Sequence, residues 1–335
     1  MPNIRIAPWK ENKRFAYSIT YDEGLVETLG FAWRLHRQYG IPGQINVYPE
    51  MLGKLTGDLS AGFLQSLWNL QKFAEPEHLQ FLLREGWRVG CQSKLDNPNA
   101  PAESLIQQRL ELENAIGHPV RCLAFNDATS ATKWRDVAEQ AGFAWQFTLH
   151  DALNDADDSS TVIKRAPLYH LGPTPNHLAN DPYRLLALVR DRGAWVVDVV
   201  RLVDRYPQDP TRDCTPAELE KRFQAVRKIG AENIWVAPPE IIADYRALRL
   251  RTRFADIAIT REQVAFTLAV SGARALQPLT WLCDLDPVWR APHALMSDGN
   301  AIPLQRTADN AAWMFDCPPA DQARITMFDG AERKP

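Results

Sequence analysis

The stretch FAYSITYDEGLVETLG, residues 15–30, contains the pattern on which the interpretation of the whole chain depends. It begins as an apolar, β-prone run and ends in a segment whose apolar residues recur every three to four positions, which is typical of a helix. Between the two lie adjacent carboxylates, Asp22 and Glu23, followed by Gly24. Glycine permits a close turn at such a junction. The stretch therefore predicts a strand that leads through a polar turn into a helix.

The same alternation of apolar strands and helical patterns continues to about residue 252. The strand candidates are residues 15–20, 43–48, 87–91, 121–126, 143–148, 194–200 and 233–237. Near-continuous apolar strands that alternate with helices indicate a parallel sheet covered on both faces. Seven such strands, with no glycine-rich phosphate loop after the first, favour a (β/α) barrel. Residues 151–193, rich in Asp, Pro and Asn, are predicted to form a long irregular excursion.

The pattern of apolar and polar residues changes after Arg253. Short alternating runs separated by Gly, Pro, Asn and Asp follow, and this pattern predicts a small antiparallel β-sandwich. We therefore expect the barrel in residues 1–253, the sandwich in residues 254–330 and a frayed tail in residues 331–335.

Composition narrows the classes of partner. The net charge of -3 gives no basic face for nucleic acid or for an anionic membrane surface. No apolar run is long enough to span a bilayer, and the first residues lack a secretory pattern, so a cytoplasmic location is expected. The five widely spaced cysteines contain no CxxC pair, which argues against a zinc ribbon and a disulfide framework.

Polar residues follow most of the predicted strands. They are Asp22, Glu23, Gln92, Ser93, Asp96, Asn126, Asp127, His150, Asp151, Arg201 and Glu240. In α/β barrels the chemistry lies on the loops after the carboxyl ends of the strands. The alternative is that such residues cap helices and form turns. For Asp22 and Glu23 we favour the functional interpretation, because two carboxylates between an apolar strand and a glycine cannot both point into solvent.

The motif Thr20-Tyr21-Asp22-Glu23-Gly24 resembles the T-F-D-D-G motif of the polysaccharide deacetylases, the NodB-homology proteins of carbohydrate esterase family 4. The segments TLGFAWRLHRQYGIPGQINVY, LLREGWRVGCQSKLDNP and WRDVAEQAGFAW are similar, in order, to further segments of that family. The resemblance covers roughly residues 15–250. It implies a distorted (β/α)7 barrel of NodB type, in agreement with the seven predicted strands.

The resemblance also implies which residues occupy the family's functional positions. Asp22 takes the position of the general base, and Glu23 that of the metal-binding aspartate. The family's His-x-x-x-His pair falls on Gln92 and Asp96, and its late catalytic histidine falls on Arg201. Such a set lacks the imidazoles that favour zinc, so it would bind a harder divalent cation or no metal.

Other positions in the family's pattern are changed as well. Its Arg-Pro-Pro segment is replaced here by Phe125-Asn126-Asp127, so the arginine is missing. His150, or His170 or His177 in the irregular excursion, could replace the lost histidine. The site prediction assigns catalysis to Asp22 and His150, metal binding to Glu23 and Asp96, and substrate binding to Gln92, Asn126, Asp127, Arg201 and Trp235.

Three functional hypotheses follow. The first is a deacetylase-like hydrolase in which Asp22 activates water to attack an acetylated sugar, or a related amide or ester, without the usual metal site. The alternative is a catalytically inactive member that serves as a binding module, or as the partner subunit of an active homologue in a homo- or hetero-oligomer. The third is an ordinary acetyl-sugar deacetylase with a hard divalent ion on Glu23 and Asp96.

Overall fold

The chain folds into two compact units in a computed structural model. The structure describes residues 3–55, 72–93, 102–125, 130–168, 181–207, 209, 212–260, 262–271, 277–285, 289 and 292–329. One unit is Phe15–Ile241, and the other combines Met1–Arg14 with Ile242–Pro335. The first fourteen residues, expected with the barrel, thus group with the C-terminal residues. The reason is that the first strand, β1 (Asn3–Ile6), pairs antiparallel with residues 281–284.

Parallel strands form a closed barrel in the first unit. They are β2 (Phe15–Tyr21), β3 (Gln44–Val47), β4 (Arg88–Gln92), β5 (Cys122–Ala124), β6 (Trp145–Leu149), β7 (Val162–Pro167) and β8 (Trp195–Val200), with β9 (Ile234–Val236) beside them. From β2 to β7, each strand pairs with the one that follows it. The last, β8, pairs back with β2, which closes a ring of seven strands. The predicted (β/α)7 barrel is confirmed.

One strand assignment was wrong. The sixth strand of the ring along the chain is β7, which lies inside residues 151–193, where an irregular excursion was predicted. The segment was missed because Lys164, Arg165 and Pro167 interrupt its apolar character. The run at 233–237 is β9, which pairs only with the first three residues of β2.

Helices alternate with the ring strands in the first unit, whereas most of the last helix and the first 3-10 turn belong to the second unit. Their bounds are α1 (Val26–Tyr39), α2 (Pro76–Arg84), α3 (Ala102–Ile116), α4 (Ser130–Lys133), α5 (Arg135–Gln140), α6 (Leu186–Arg192), α7 (Pro216–Gly230) and α8 (Pro239–Arg251), with short 3-10 turns at Lys10–Asn12 and Pro49–Met51. Strand residues that face outward, such as Ile19 and Val196, are buried in one core with helix residues such as Leu79 and Phe223. Burial of this apolar surface is the main favourable term in forming the barrel. In the described residues, no helix is both long enough and apolar enough to cross a membrane.

The second unit consists of two antiparallel sheets. Its strands, besides β1, are β10 (Thr252–Ile259), β11 (Gln263–Val270), β12 (Leu279–Asp284), β13 (Pro292–Met296), β14 (Ala301–Ile302), β15 (Gln305–Arg306), β16 (Trp313–Cys317) and β17 (Arg324–Asp329). The sheet orders are β1-β12-β16-β15 and β10-β11-β17-β13-β14. Phe254 and Phe266 of one sheet lie 5.6 and 6.1 Å from the ring of Trp281 in the other. The sheets therefore face each other through aromatic side chains, in the manner of a sandwich.

A histidine is buried among aromatic rings where α1 packs on the barrel. The Nε2 atom of His36 lies 2.6 Å from the hydroxyl of Tyr21, and its Nδ1 atom contacts the carbonyl of Ile41. The rings of Trp87 and Phe223 are 4.3 and 4.8 Å from its own. Burial lowers the pKa of His36 from 6.5 to about 3, although the bond to Ile41 opposes the shift. The imidazole is therefore neutral in the folded protein.

This lowered pKa predicts acid sensitivity. The unfolded chain takes up a proton on His36 below pH 6.5 and the folded chain only near pH 3, so stability is lost as the pH falls through that window. At pH 5 this one group should cost about 2 kcal/mol of the free energy of unfolding relative to pH 8. Urea unfolding of the wild type and of His36→Gln at both pH values measures the effect. The variant should be less stable at pH 8 but should lose less on acidification; an equal loss in both proteins would contradict the assignment.

Candidate functional site

The turn after β2 is fixed by close contacts at the end of the barrel. The main-chain amide of Asp22 donates to the carbonyl of Val200 at 2.9 Å, which extends the pairing of β2 with β8. Gly24 has φ +76°, and a Cβ atom added there would lie 2.6 Å from Cγ1 of Val47. The glycine of the motif is thus required both by its backbone conformation and by the approach of β3. Together these contacts hold the two carboxylates at the carboxyl end of the ring.

Asp22 is bound by an arginine that crosses the interior of the barrel. Nη1 and Nη2 of Arg165 donate to the two carboxylate oxygens at 2.6 and 3.0 Å, and Nδ2 of Asn46 donates to Oδ1 at 2.9 Å. The guanidinium also donates to Oγ1 of Thr20 and to the carbonyl of Phe125, each at 3.2 Å. Asp22 is 1% exposed and Arg165 is fully buried. A paired, bidentate contact of this kind neutralises the carboxylate and fixes its orientation.

Glu23 is bound by two arginines from the loop that follows β8. Its Oε1 lies 3.0 Å from Nη2 of Arg212, and its Oε2 lies 3.9 Å from Nη1 of Arg201. Its main-chain amide donates to Oε1 of Gln92 at 2.5 Å. The backbone of Glu23 has φ +71°, a left-handed conformation that is uncommon for a residue with a side chain. Gln92 and the arginines therefore hold Glu23 in an unusual backbone position.

Arg201 is itself anchored by a buried carboxylate. Its Nε and Nη2 donate to the two oxygens of Asp213 at 2.8 and 2.6 Å. Burial by itself would lower the pKa of Arg201, but Asp213, Glu23 and Asp209 outweigh it and raise that pKa above its ordinary value. The barrel end thus contains the three carboxylates Asp22, Glu23 and Asp213, which pair with the three arginines Arg165, Arg201 and Arg212.

The described donors do not fit the zinc-type ion that the resemblance implies. A cation on Glu23 would stand beside the guanidinium groups of Arg201 and Arg212, which would repel it. The Oε1 atom of Gln92 is directed to the amide of Glu23. Within the part of the chain that the structure describes, no three His, Cys, Asp or Glu side chains are grouped so that they could hold a metal ion. Asp96, the other predicted ligand, lies outside the described residues.

Of the remaining predicted residues, the structure describes His150 and Trp235. Asn126, Asp127, His170 and His177 lie outside the described residues. His150 has an exposed side chain, and its main-chain amide donates to the carbonyl of Arg165 at 3.1 Å. Trp235 is half-buried and pairs with Ala16 near the start of β2, six residues before Asp22, or about 20 Å along the strand. The structure therefore places Trp235 away from the turn at Asp22.

Four residues of the cluster were missed by the sequence analysis. Arg165 lies on the strand that was not recognised. Asn46 lies inside a predicted strand, and the polar pair Gln44 and Asn46 at a spacing of two was a signal that one face of this strand is polar. Arg212 and Asp213 carried no such signal, because they lie far from any predicted strand end.

The ion pair between Asp22 and Arg165 should stabilise the barrel in a way that a surface pair does not. Arg165→Leu leaves a buried carboxylate without its partner, which should cost about 3–5 kcal/mol of the free energy of unfolding. The double variant Asp22→Asn/Arg165→Leu should recover part of this loss, because no buried charge remains. Urea unfolding measures both effects.

The control is Arg190→Leu, which breaks the exposed pair of Arg190 with Asp191 and should cost at most about 1 kcal/mol. If Arg165→Leu and Arg190→Leu lowered the free energy of unfolding equally, the buried pair would contribute no more to stability than the exposed one.

Comparison with known proteins gives structural similarity only. No protein-family model matches the chain, and no curated protein matches it. Similar solved structures include a candidate polysaccharide deacetylase from Mycobacterium smegmatis, with 16% identity, 76% of this chain and 98% of that chain covered, and a TM-score of 0.46. A polysaccharide deacetylase from Bacillus cereus has 13% identity, coverage of 67% and 91%, and a TM-score of 0.40.

A third similar structure is a mutant of a pseudoenzyme of carbohydrate esterase family 4 with restored enzymatic activity. It has 11% identity, coverage of 70% of this chain and 68% of that chain, and a TM-score of 0.40. Two of these three structures are thus described as polysaccharide deacetylases and the third as a mutant pseudoenzyme of the same carbohydrate esterase family.

Proposed function

We propose that the barrel is a carbohydrate-binding member of the deacetylase fold that does not perform metal-dependent deacetylation. The observation that supports this proposal is that both carboxylates of the motif are paired with arginines of the same chain. The carbohydrate ligand is suggested by the sequence resemblance over roughly residues 15–250. The chain would then act as a binding module, by itself or beside an active homologous subunit.

Deacetylation requires groups that the described residues do not bring together. The reaction needs an activated water, stabilisation of the developing oxyanion and a proton for the leaving group. Both oxygens of Asp22 already accept hydrogen bonds from Arg165, and Glu23 lies between two positive charges. His36 is buried away from the turn, with a pKa lowered to about 3, and so cannot be the acid near neutrality. Binding requires none of these steps.

One observation favours a second candidate, a metal-free hydrolase. Asp22 stands at the position of the family's base, and Arg165 and Asn46 fix the orientation of its carboxylate. A fixed base is what an attacking water needs for its alignment. In this candidate Asp22 would activate water, and the proton donor would come from residues outside the described part of the chain, such as His170 or His177.

Metal content and acetate release separate these functions. The purified full chain is incubated with zinc, cobalt or magnesium, dialysed and assayed on N-acetylglucosamine oligomers and acetylated xylan, with Asp22→Asn as the matched control. We expect metal far below one ion per chain and no acetate release that depends on Asp22. Stoichiometric metal that is lost in Glu23→Ala, with release that depends on Asp22, would overturn the proposal. Release that depends on Asp22 in the presence of a chelator would instead establish the metal-free hydrolase.

A rebuilt metal site tests the role of the arginines directly. The variant Glu23→Asp/Gln92→His/Asp96→His restores the residues that the resemblance implies for a metal site. It should bind zinc measurably, and the further change Arg212→Gln should tighten binding roughly ten-fold, because one repelling charge near the ion is removed. Isothermal titration calorimetry measures both affinities. If Arg212→Gln leaves the affinity unchanged, the arginine does not disfavour a cation at this position.

A further inference from the structure

Two guanidinium groups approach the same carboxylate at the barrel end. Arg212 lies 3.0 Å from one oxygen of Glu23, and Arg201 lies 3.9 Å from the other. Paired arginines that face the two oxygens of one carboxylate are a common arrangement for recognising an acidic ligand, because the planar guanidinium matches the carboxylate geometry. In this structure the carboxylate that they face belongs to the chain itself.

The contact of Arg201 with Glu23 is loose. Nε and Nη2 of Arg201 are engaged by Asp213, so its position is fixed and its Nη1 atom is directed at Glu23. The distance of 3.9 Å is too long for a hydrogen bond. An anionic oxygen that came closer to Nη1 would therefore gain a bond that Glu23 does not make.

The group is also accessible from solvent. The side chains of Arg201, Glu23 and Arg212 are 15%, 18% and 34% exposed. Solvent therefore reaches this ion pair, and a ligand carboxylate that replaced that of Glu23 would leave both guanidinium groups paired. The pair of Asp22 with Arg165 differs, because it is buried and both carboxylate oxygens are bonded.

The backbone conformation of Glu23 supports the same interpretation. A non-glycine residue at φ +71° is held there by its surroundings, here by Gln92 and by the turn at Gly24. This turn places the side chain of Glu23 beside Arg201 and Arg212.

We infer that the ligand of the barrel is an acidic sugar, and that its carboxylate displaces Glu23 from Arg201 and Arg212. This inference rests on the proposed carbohydrate-binding function. A sugar carboxylate and a free inorganic anion share the chemistry that the arginines recognise. The sugar is favoured over the free anion by the proposed function alone, and the phosphate arm of the experiment separates the two.

Calorimetric titration of the full chain with trigalacturonate tests the inference. The matched neutral ligand is the trimethyl ester of trigalacturonate, which has the same sugar rings without charge, and inorganic phosphate is the free anion. We expect trigalacturonate to bind about ten-fold more tightly than its ester or phosphate, because only it combines the charge with the sugar rings. Glu23→Gln should tighten this binding several-fold by removing the internal competitor, and Arg212→Gln should weaken it at least ten-fold.

Arg190→Gln on α6 is the control and should leave the affinity unchanged. Thermal melting verifies that each variant is folded; if Arg212→Gln is not, Arg212→Lys, which keeps the charge but loses the planar fork, replaces it. Equal affinities for the acid and the ester would contradict recognition of the carboxylate but would leave the proposed carbohydrate binding standing. If phosphate bound as tightly as trigalacturonate, the claim that the ligand is a sugar would be contradicted. A failure of all three ligands, or weaker binding by Glu23→Gln, would overturn the inference itself.

Discussion

The buried ion pair of Asp22 with Arg165 is the interaction on which this barrel end depends. It joins the turn after β2 to β7, and the same guanidinium also donates to Thr20 of β2 and to the carbonyl of Phe125, directly after β5. Two charges inside a barrel are tolerable only when each has its partner and its hydrogen bonds. Arg165 therefore makes it possible for the motif carboxylate to remain in a site from which water is excluded.

The same principle explains the chemistry of the whole site. Asp22, Glu23 and Asp213 each have a guanidinium within ion-pair distance, so among the described residues these three charges are compensated by arginines. A metal site needs the opposite arrangement, in which ligand charges remain uncompensated until the ion binds. The guanidinium groups of Arg201 and Arg212 beside Glu23 thus disfavour a cation at this position and are compatible with an acidic ligand.

Sequence analysis predicted the closed barrel and the turn because both depend on patterns that are local in sequence. Apolar runs separated by helical spacing identify six of the seven ring strands, and Gly24 marks the turn. The strand β7 was missed because its buried charge, Arg165, breaks the apolar run. Its role appears only when the ring is closed and β8 brings the turn at Asp22 next to it. Arg212 and Asp213 could not be assigned for a similar reason, because their partners, Glu23 and Arg201, are brought to them by the fold.

The separation of Asp22 and Arg165 along the chain has a consequence for biosynthesis. The two residues are 143 positions apart, and Glu23 and Arg212 are farther apart still. At about 5–20 residues per second, a ribosome needs roughly 7–30 s to make the residues between Asp22 and its partner. During that interval the turn after β2 carries an uncompensated carboxylate, which favours a hydrated state over early docking. The nascent chain therefore cannot complete this end of the barrel before β7 has emerged, and the ion pair makes ring closure a late, long-range step of folding.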